Sequence, residues 1–296
     1  MNKIDKIITK TKRLANLRYN EFNLENFWSI LDKNYSDIEM IETDVNSPIQ
    51  LMSGNNSQAG IVKKGRGDVY LVGKGVLFDS GGMCLKIGTH ASIEEMYDDK
   101  TGMLIALAIA DLFPNEVTAF CPVSTNFIHI SKIIPGDILT IGKRKVEMTD
   151  TDAEGRVLLS EAITKINASK SDTIITIATL TGAVEYAIGN KATGIFSNNE
   201  NLLKKYADAS FEAKELAWGL PLWNYMDKAY KKEKILRNWH KEYKCGASEA
   251  ATFLLQFVPN PNKFLHLDIA SSAFDDRGKP NGVPIKSLIN FIKKLK

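Results

Sequence analysis

DVYLVG (68–73), GMLIALAIADLF (102–113) and VTAFCPV (117–123) follow one another as strand, helix and strand. The middle run is apolar nearly all round, which predicts a buried helix rather than a surface one. The rhythm continues downstream. VLLSEAITKI (157–166) carries Leu158, Leu159, Ala162, Ile163 and Ile166 as a helical stripe, and TIITIATL (173–180) reads as a buried strand. NLLKKYADASFEAKELAWG (201–219) reads as mostly helical, KFLHLDIA (263–270) as a strand, and IKSLINFIKKL (285–295) as an amphipathic last helix. Strands alternating with helices predict an α/β fold, with a mixed, mostly parallel sheet sandwiched by helices. Ligands of such sheets sit at the carboxyl ends of strands.

Residues 1–65 differ in character and read as a short N-terminal extension or linker ahead of a domain at 66–296. Ile4, Ile7, Ile8, Leu14 and Leu17 predict one surface helix, and NSPIQLMSGNNSQAG (46–60) predicts a linker or irregular lead-in. With 296 residues, 44% of them hydrophobic, the chain can bury a sizeable core. A net charge of +3 gives no basis for nucleic-acid binding, because the excess lysine lies towards the ends, in KIITKTKR and IKKLK. Cys84, Cys121 and Cys245 lack metal-type spacing and read as reduced thiols. The first residues lack the apolar core of a secretory signal, and the Met103–Ala110 run is too short to span a membrane. A cytoplasmic location is therefore expected.

Three segments carry the chemistry. DTDAEGR (150–156) places carboxylates two residues apart with Ala and Gly around them. Taken alone, that suits either a solvated acidic turn or a loop closing on a cation. VGKGVLFDSGGMCLK (72–86) has four glycines in ten residues, with Lys74, Asp79 and Lys86 among them, so the chain is held close to something charged. It does not match the phosphate-loop pattern GxxxxGK[ST]. MYDDKTG (96–102) sets Asp98 and Asp99 at the entrance of the buried helix, where either could be a simple cap.

Together, in this order, the segments resemble the leucyl aminopeptidase (cytosol aminopeptidase) family of two-metal peptidases. The family signatures are VGKGxxFDSGGxxxK, MKxDMxGA, NTDAEGR and ATLTGA. The last matches residues 178–183, and WGLPL (218–222), GASEAATFLLQFV (246–258) and HLDIA (266–270) also look like family segments. The resemblance covers about residues 68–296. It implies a phosphorylase/hydrolase-like zinc peptidase domain that releases N-terminal, leucine-like residues through attack by a metal-bridging water. Lys74, Asp79, Asp99 and Glu154 would hold one ion, and Asp79, Asp152 and Glu154 the other. Lys86 and Arg156 would be catalytic cations, with a bicarbonate on Gly155, Arg156 and Leu180 as proton shuttle. Met96, Thr179, Leu180, Gly182, Ala270 and Ala273 would meet the substrate, the P1 pocket among them. Four carboxylates balance two divalent ions, and a lysine can be a ligand only as the neutral amine. Oxygen donors with one nitrogen suit Zn²⁺, and also Mn²⁺, Mg²⁺ or Co²⁺. His90, His129, His240 and His266 show no metal spacing, and His266 reads as a hydrogen-bonded core residue.

The sequence also departs from the pattern. Asp150 replaces the Asn of NTDAEGR, adding a negative charge that could contact a cationic P1′ residue. Tyr97 replaces a basic residue, and Lys100 replaces a Met and would weaken the metal site if it pointed inward. Ala273 stands where a larger residue can line the pocket. Family members form hexamers, dimers of trimers. A homo-oligomer acting on peptides is expected here, without the usual N-terminal domain to support the hexamer.

Overall fold

In this computed structural model, residues 2–87, 93–229, 231–232, 235–242 and 244–295 are described. The strands in chain order are β1 (Ile38–Ile41), β2 (Gly60–Gly65), β3 (Val69–Gly73), β4 (Gly75–Asp79), β5 (Val117–Asn126), β6 (Ile138–Ile141) and β7 (Arg144–Glu147). They continue as β8 (Thr173–Ala178), β9 (Thr193–Phe196), β10 (Ala217–Gly219), β11 (Lys231–Lys232), β12 (Ile235–Arg237) and β13 (Phe264–Asp268). The helices are α1 (Lys3–Ala15), α2 (Phe27–Asn34), α3 (Pro48–Met52), α4 (Thr101–Leu112), α5 (Glu154–Lys165), α6 (Ala183–Ile188), α7 (Glu200–Ala213), α8 (Met226–Ala229), α9 (Gly246–Leu255) and α10 (Ile285–Leu295).

One sheet runs β1-β2-β5-β3-β8-β13-β9-β10, with β4 also on β5. The pairs at its centre, β5/β3, β3/β8 and β8/β13, are parallel, and β1/β2, β2/β5 and β13/β9 are antiparallel. The mixed, mostly parallel sheet expected from the sequence is therefore present. β5 and β8 are buried along their whole length, as strands covered on both faces must be. A smaller sheet, β11-β12-β7-β6, stands apart.

Two readings need correction. AWG (217–219) is not a helical tail: α7 ends at Ala213, Lys214 turns left-handed at φ 57, and β10 joins the sheet edge beside β9. Residues 46–60 are not wholly irregular. Ser47 accepts a hydrogen bond from the Gln50 amide and Pro48 opens α3, a start-of-helix pairing the turn-rich composition obscured. Within 1–65, β1 and β2 extend the main sheet, and Leu14, Phe22, Phe27 and Leu31 are fully buried in the core.

Candidate metal centre and cleft

The strands β3, β8, β13 and β5 all end on one side, and the chemistry-bearing residues gather there. Lys74 links β3 to β4, Asp79 ends β4, and Asp99 precedes α4. Asp152 lies on a one-turn 3-10 segment (Thr151–Ala153), and Glu154 starts α5. The backbone packs without gaps at this junction. A Cβ on Gly73 would fall 2.3 Å from the Gly102 carbonyl oxygen, and one on Gly102 would fall 2.2 Å from that of Ile177. Only glycine allows the start of α4 to press onto β3 and β8 this way.

Two lysines divide four carboxylates between them. The Lys74 ammonium lies 2.7 Å from Asp99 Oδ2 and 2.8 Å from Glu154 Oε1, and donates to the Thr179 carbonyl at 3.3 Å. Lys86 lies 2.8 Å from Asp79 Oδ2 and pairs with Asp152 Oδ1. Burial by itself lowers the pKa of both amines. The carboxylates outweigh it and raise both amines above their ordinary value, Asp99 and Glu154 leading for Lys74 and Asp79 for Lys86. The acids are pushed the other way. Burial, then the Asp79 charge, brings Glu154 up to about 8, and burial raises Asp99 to about 6 against the pull of Lys74. Asp152 is also raised, chiefly by burial.

This arrangement fits a divalent cation. Asp79, Asp99 and Glu154 offer oxygens within 4.8 Å of one another, and all three residues are buried. Glu154 Oε2 has neither a hydrogen bond nor an ion pair among the described residues, while Glu154 Oε1 and Asp99 Oδ2 have Lys74 alone. Buried carboxylate oxygens left without donors are costly, and a cation relieves that cost.

Other side chains hold the carboxylates in place. Asp79 Oδ1 accepts from the Gly81 amide at 2.9 Å and Asn126 Nδ2 at 2.7 Å, and Thr179 Oγ1 donates to Asp99 at 2.5 Å. Asn126 also reaches the Thr151 carbonyl at 2.9 Å, tying the Asp79 loop to the Asp152 loop. Asn238, after β12, holds the 149–153 loop: its Nδ2 donates to the Asp150 carbonyl at 2.6 Å and its Oδ1 accepts from Thr149 N at 2.8 Å. Arg156, 6% exposed, donates to the Asn238 carbonyl at 3.1 Å. Asp268, fully buried at the end of β13, accepts from Thr181 Oγ1 at 2.7 Å and from the Leu180 and Ala270 amides at 3.2 Å. Burial lifts its carboxyl to about 6 against those donors. Asn126, Asn238 and Asp268 were missed from sequence. Asn126 and Asp268 could have been found as polar residues ending buried strands, whereas nothing local singles out Asn238.

A cleft of ≈ 720 Å³ opens over the carboxylates. Lys74, Asp79, Lys86, Asp99 and Asp152 line it, with Met96, Thr179, Leu180, Gly182 and Ala270. Gly155 sits behind, where a Cβ would be 2.9 Å from both Lys74 Nζ and Leu180 Cδ1. Two expected substrate contacts are corrected. Ala273 is fully buried in the main core, and its neighbour Phe274 lines the cleft instead. Asp150 turns its carboxylate back on its own chain, accepting from Asp152 N at 2.8 Å as the cap of the 3-10 turn. An Asn at 150 would accept there equally well.

Lys100 does not point at the metal centre. It is fully buried, with its amine donating to the carbonyls of Leu17 at 2.8 Å, Ala15 at 3.3 Å and Tyr97. His266 is the buried core residue expected, its Nδ1 2.8 Å from Thr176 Oγ1. Burial drives its pKa down to about 3, so the ring is neutral. His90 lies outside the described residues.

The catalytic-domain model of the cytosol aminopeptidase family matches residues 51–289. A "Probable cytosol aminopeptidase" of Syntrophotalea carbinolica is 36% identical over 236 residues, 76% of this chain and 47% of that protein. One from Methylobacillus flagellatus is 37% identical over 242 residues, 78% of this chain and 48% of the relative. The chain thus spans about half the length of the curated relatives it matches. The fold is similar to that of the bottromycin maturation enzyme BotP in complex with Mn, at TM-score 0.86 and 24% identity, covering 99% of this chain and 70% of that one.

Proposed function

The chain belongs to the cytosol aminopeptidase family, and from that premise we propose that it is a metal-dependent aminopeptidase releasing N-terminal, apolar residues from peptides. The observation that carries the reading is the buried Asp79, Asp99 and Glu154 cluster, its carboxylates converging within 4.8 Å beneath a peptide-sized cleft. Lys74, Asp79, Asp99 and Glu154 would hold one divalent ion, and Asp79, Asp152 and Glu154 a second. Such a pair would polarise the scissile carbonyl, make water acidic enough to attack it and bind the free α-amine of the peptide. Zn²⁺ and Mn²⁺ suit the donor set, as do Mg²⁺ and Co²⁺.

The chain's own groups then have separate tasks. Lys86, at the cleft wall beside Asp79 and Asp152, would donate to the oxyanion that develops on the carbonyl oxygen. Lys74 would give up its proton as the ions take over Asp99 and Glu154, because only the free amine can be a ligand. Arg156, with Gly155 and Leu180, would hold a bicarbonate that passes the proton from water to the leaving amine. Met96, Thr179, Gly182 and Ala270 would form the pocket for the first side chain. A homo-oligomer, hexameric by the family resemblance, would act on cytosolic peptides.

Leucine and methionine 4-nitroanilides test the activity. Hydrolysis should vanish on chelation and return with Zn²⁺ or Mn²⁺. A folded chain inactive with every metal would overturn the reading. Light scattering tests the assembly, and a monomeric mass would overturn that part alone.

A further inference from the structure

We propose that Asp98 makes the cleft select a first residue whose side chain ends in an amine or guanidinium, by accepting a hydrogen bond from that group. The proposal rests on the aminopeptidase reading and replaces its apolar first residue with one whose stem is apolar and whose tip is a donor.

Asp98 ends the 3-10 segment Ile93–Asp98, two residues beyond Met96, and both line the cleft. It is only 6% exposed. Its neighbour Asp99 is held by Lys74 and Thr179, and Asp268 by the loop after β8. Among the described residues, no hydrogen bond or ion pair holds the Asp98 carboxyl. Its backbone carbonyl accepts from Thr101 Oγ1 at 2.6 Å. A carboxyl so nearly buried keeps little of its hydration, and a donor arriving with the substrate restores what it lost.

The rest of the wall points the same way. Asp276 is paired with Lys191, and Asp275 lies 3.0 Å from Arg277. Glu95 and Glu185 also line the cleft, and no ion pair neutralises either among the described residues. Once two divalent ions balance Asp79, Asp99, Asp152 and Glu154, the charge left in the cleft is negative. Met96, Ala270 and Phe274 meanwhile supply apolar surface for a methylene stem. Lysine and arginine have that form, an apolar stem with a donor tip. Norleucine has the stem alone.

The test compares lysyl, arginyl and norleucyl 4-nitroanilides on the full chain loaded with Mn²⁺, in wild type, Asp98→Asn and Asp98→Ala. The ratio of lysyl to norleucyl kcat/KM should fall ~10- to 100-fold in both variants, the range a lost charge-assisted contact produces. Bound Mn²⁺, measured in the same samples, should not change. A ratio that moves less than about threefold would overturn the proposal. So would a parallel fall of both substrates together with Mn²⁺ content, which would make Asp98 a support of the metal centre. If no anilide is cleaved, the aminopeptidase reading fails. Calorimetry with lysine amide and norleucine amide then decides the role of Asp98 separately. A preference for lysine amide that Asp98→Asn abolishes would uphold the proposal, and equal binding in both proteins would overturn it.

Discussion

A single methyl at position 155 would strike the Lys74 stem at 2.7 Å, and Leu180 and the Lys74 amine at 2.9 Å. Gly155→Ala should therefore displace Lys74 and lower metal content and activity together, read by metal analysis beside the anilide assay. Lys86→Ala is expected to differ, since Lys86 is proposed to act on the substrate rather than to hold an ion. Its kcat should fall by ~2–3 orders of magnitude while metal content persists, and lost metal would show the role to be wrong. Asp150 distinguishes capping from charge. Asp150→Asn should unfold at the wild-type temperature, whereas Asp150→Ala should lose about 1 kcal/mol with the cap on Asp152 N. Equal losses in both would mean that the charge itself matters.

At the level of elements, the 3-10 turn before α4 faces two ways. Met96, Asp98 and Asp99 line the cleft, while Tyr97 and Lys100 face the N-terminal segment. Lys100 lies over the rings of Phe22 and Tyr97, Arg18 lies over Tyr97, and the Lys100 amine binds the chain just past α1. Two departures from the family pattern thus share one seam, and neither enters the metal centre. Lys100→Met should cost about 1–3 kcal/mol in urea unfolding by leaving those carbonyls without their donor. Hydrogen exchange in α1 should quicken with it. The sequence showed that residues 97 and 100 were unusual but not which way they faced, because a side chain beside a helix entrance can turn to either side. Of the strands, only β3, β5, β8 and β13 were legible, because their apolar runs are short and bounded by glycine and polar residues. β10 was not legible: three residues at a sheet edge follow a helix with only Lys214 to mark the break.

For the whole molecule, the acids set how stability depends on pH. Glu154 moves from its ordinary 4.5 to about 8, and Asp99 from 3.8 to about 6. Between those values the folded chain holds more protons than the unfolded chain, so without metal its stability falls as pH rises. Lys74 is protonated in both states over that range and adds no slope. Chelated protein should melt at a lower temperature at pH 8 than at pH 5, and added Mn²⁺ should raise the melting temperature more at pH 8. A flat profile in scanning calorimetry would count against the buried cluster. The proposed metal donors were legible because three segments that resemble the family's hold them in fixed order. Their supports Asn126, Asn238 and Asp268 were not, since only the closed sheet brings them to the carboxylates.

The position of β13 has a consequence for how the chain is made. It is the last strand in sequence, yet it lies between β8 and β9. Until the ribosome has released residues 264–268, the sheet exists as two separate pieces, and the loop after β8 lacks the Asp268 anchor that shapes one wall of the cleft. A nascent chain that already carries every proposed metal ligand therefore has no finished cleft. On the aminopeptidase reading, activity waits for residues 264–268 to close the sheet.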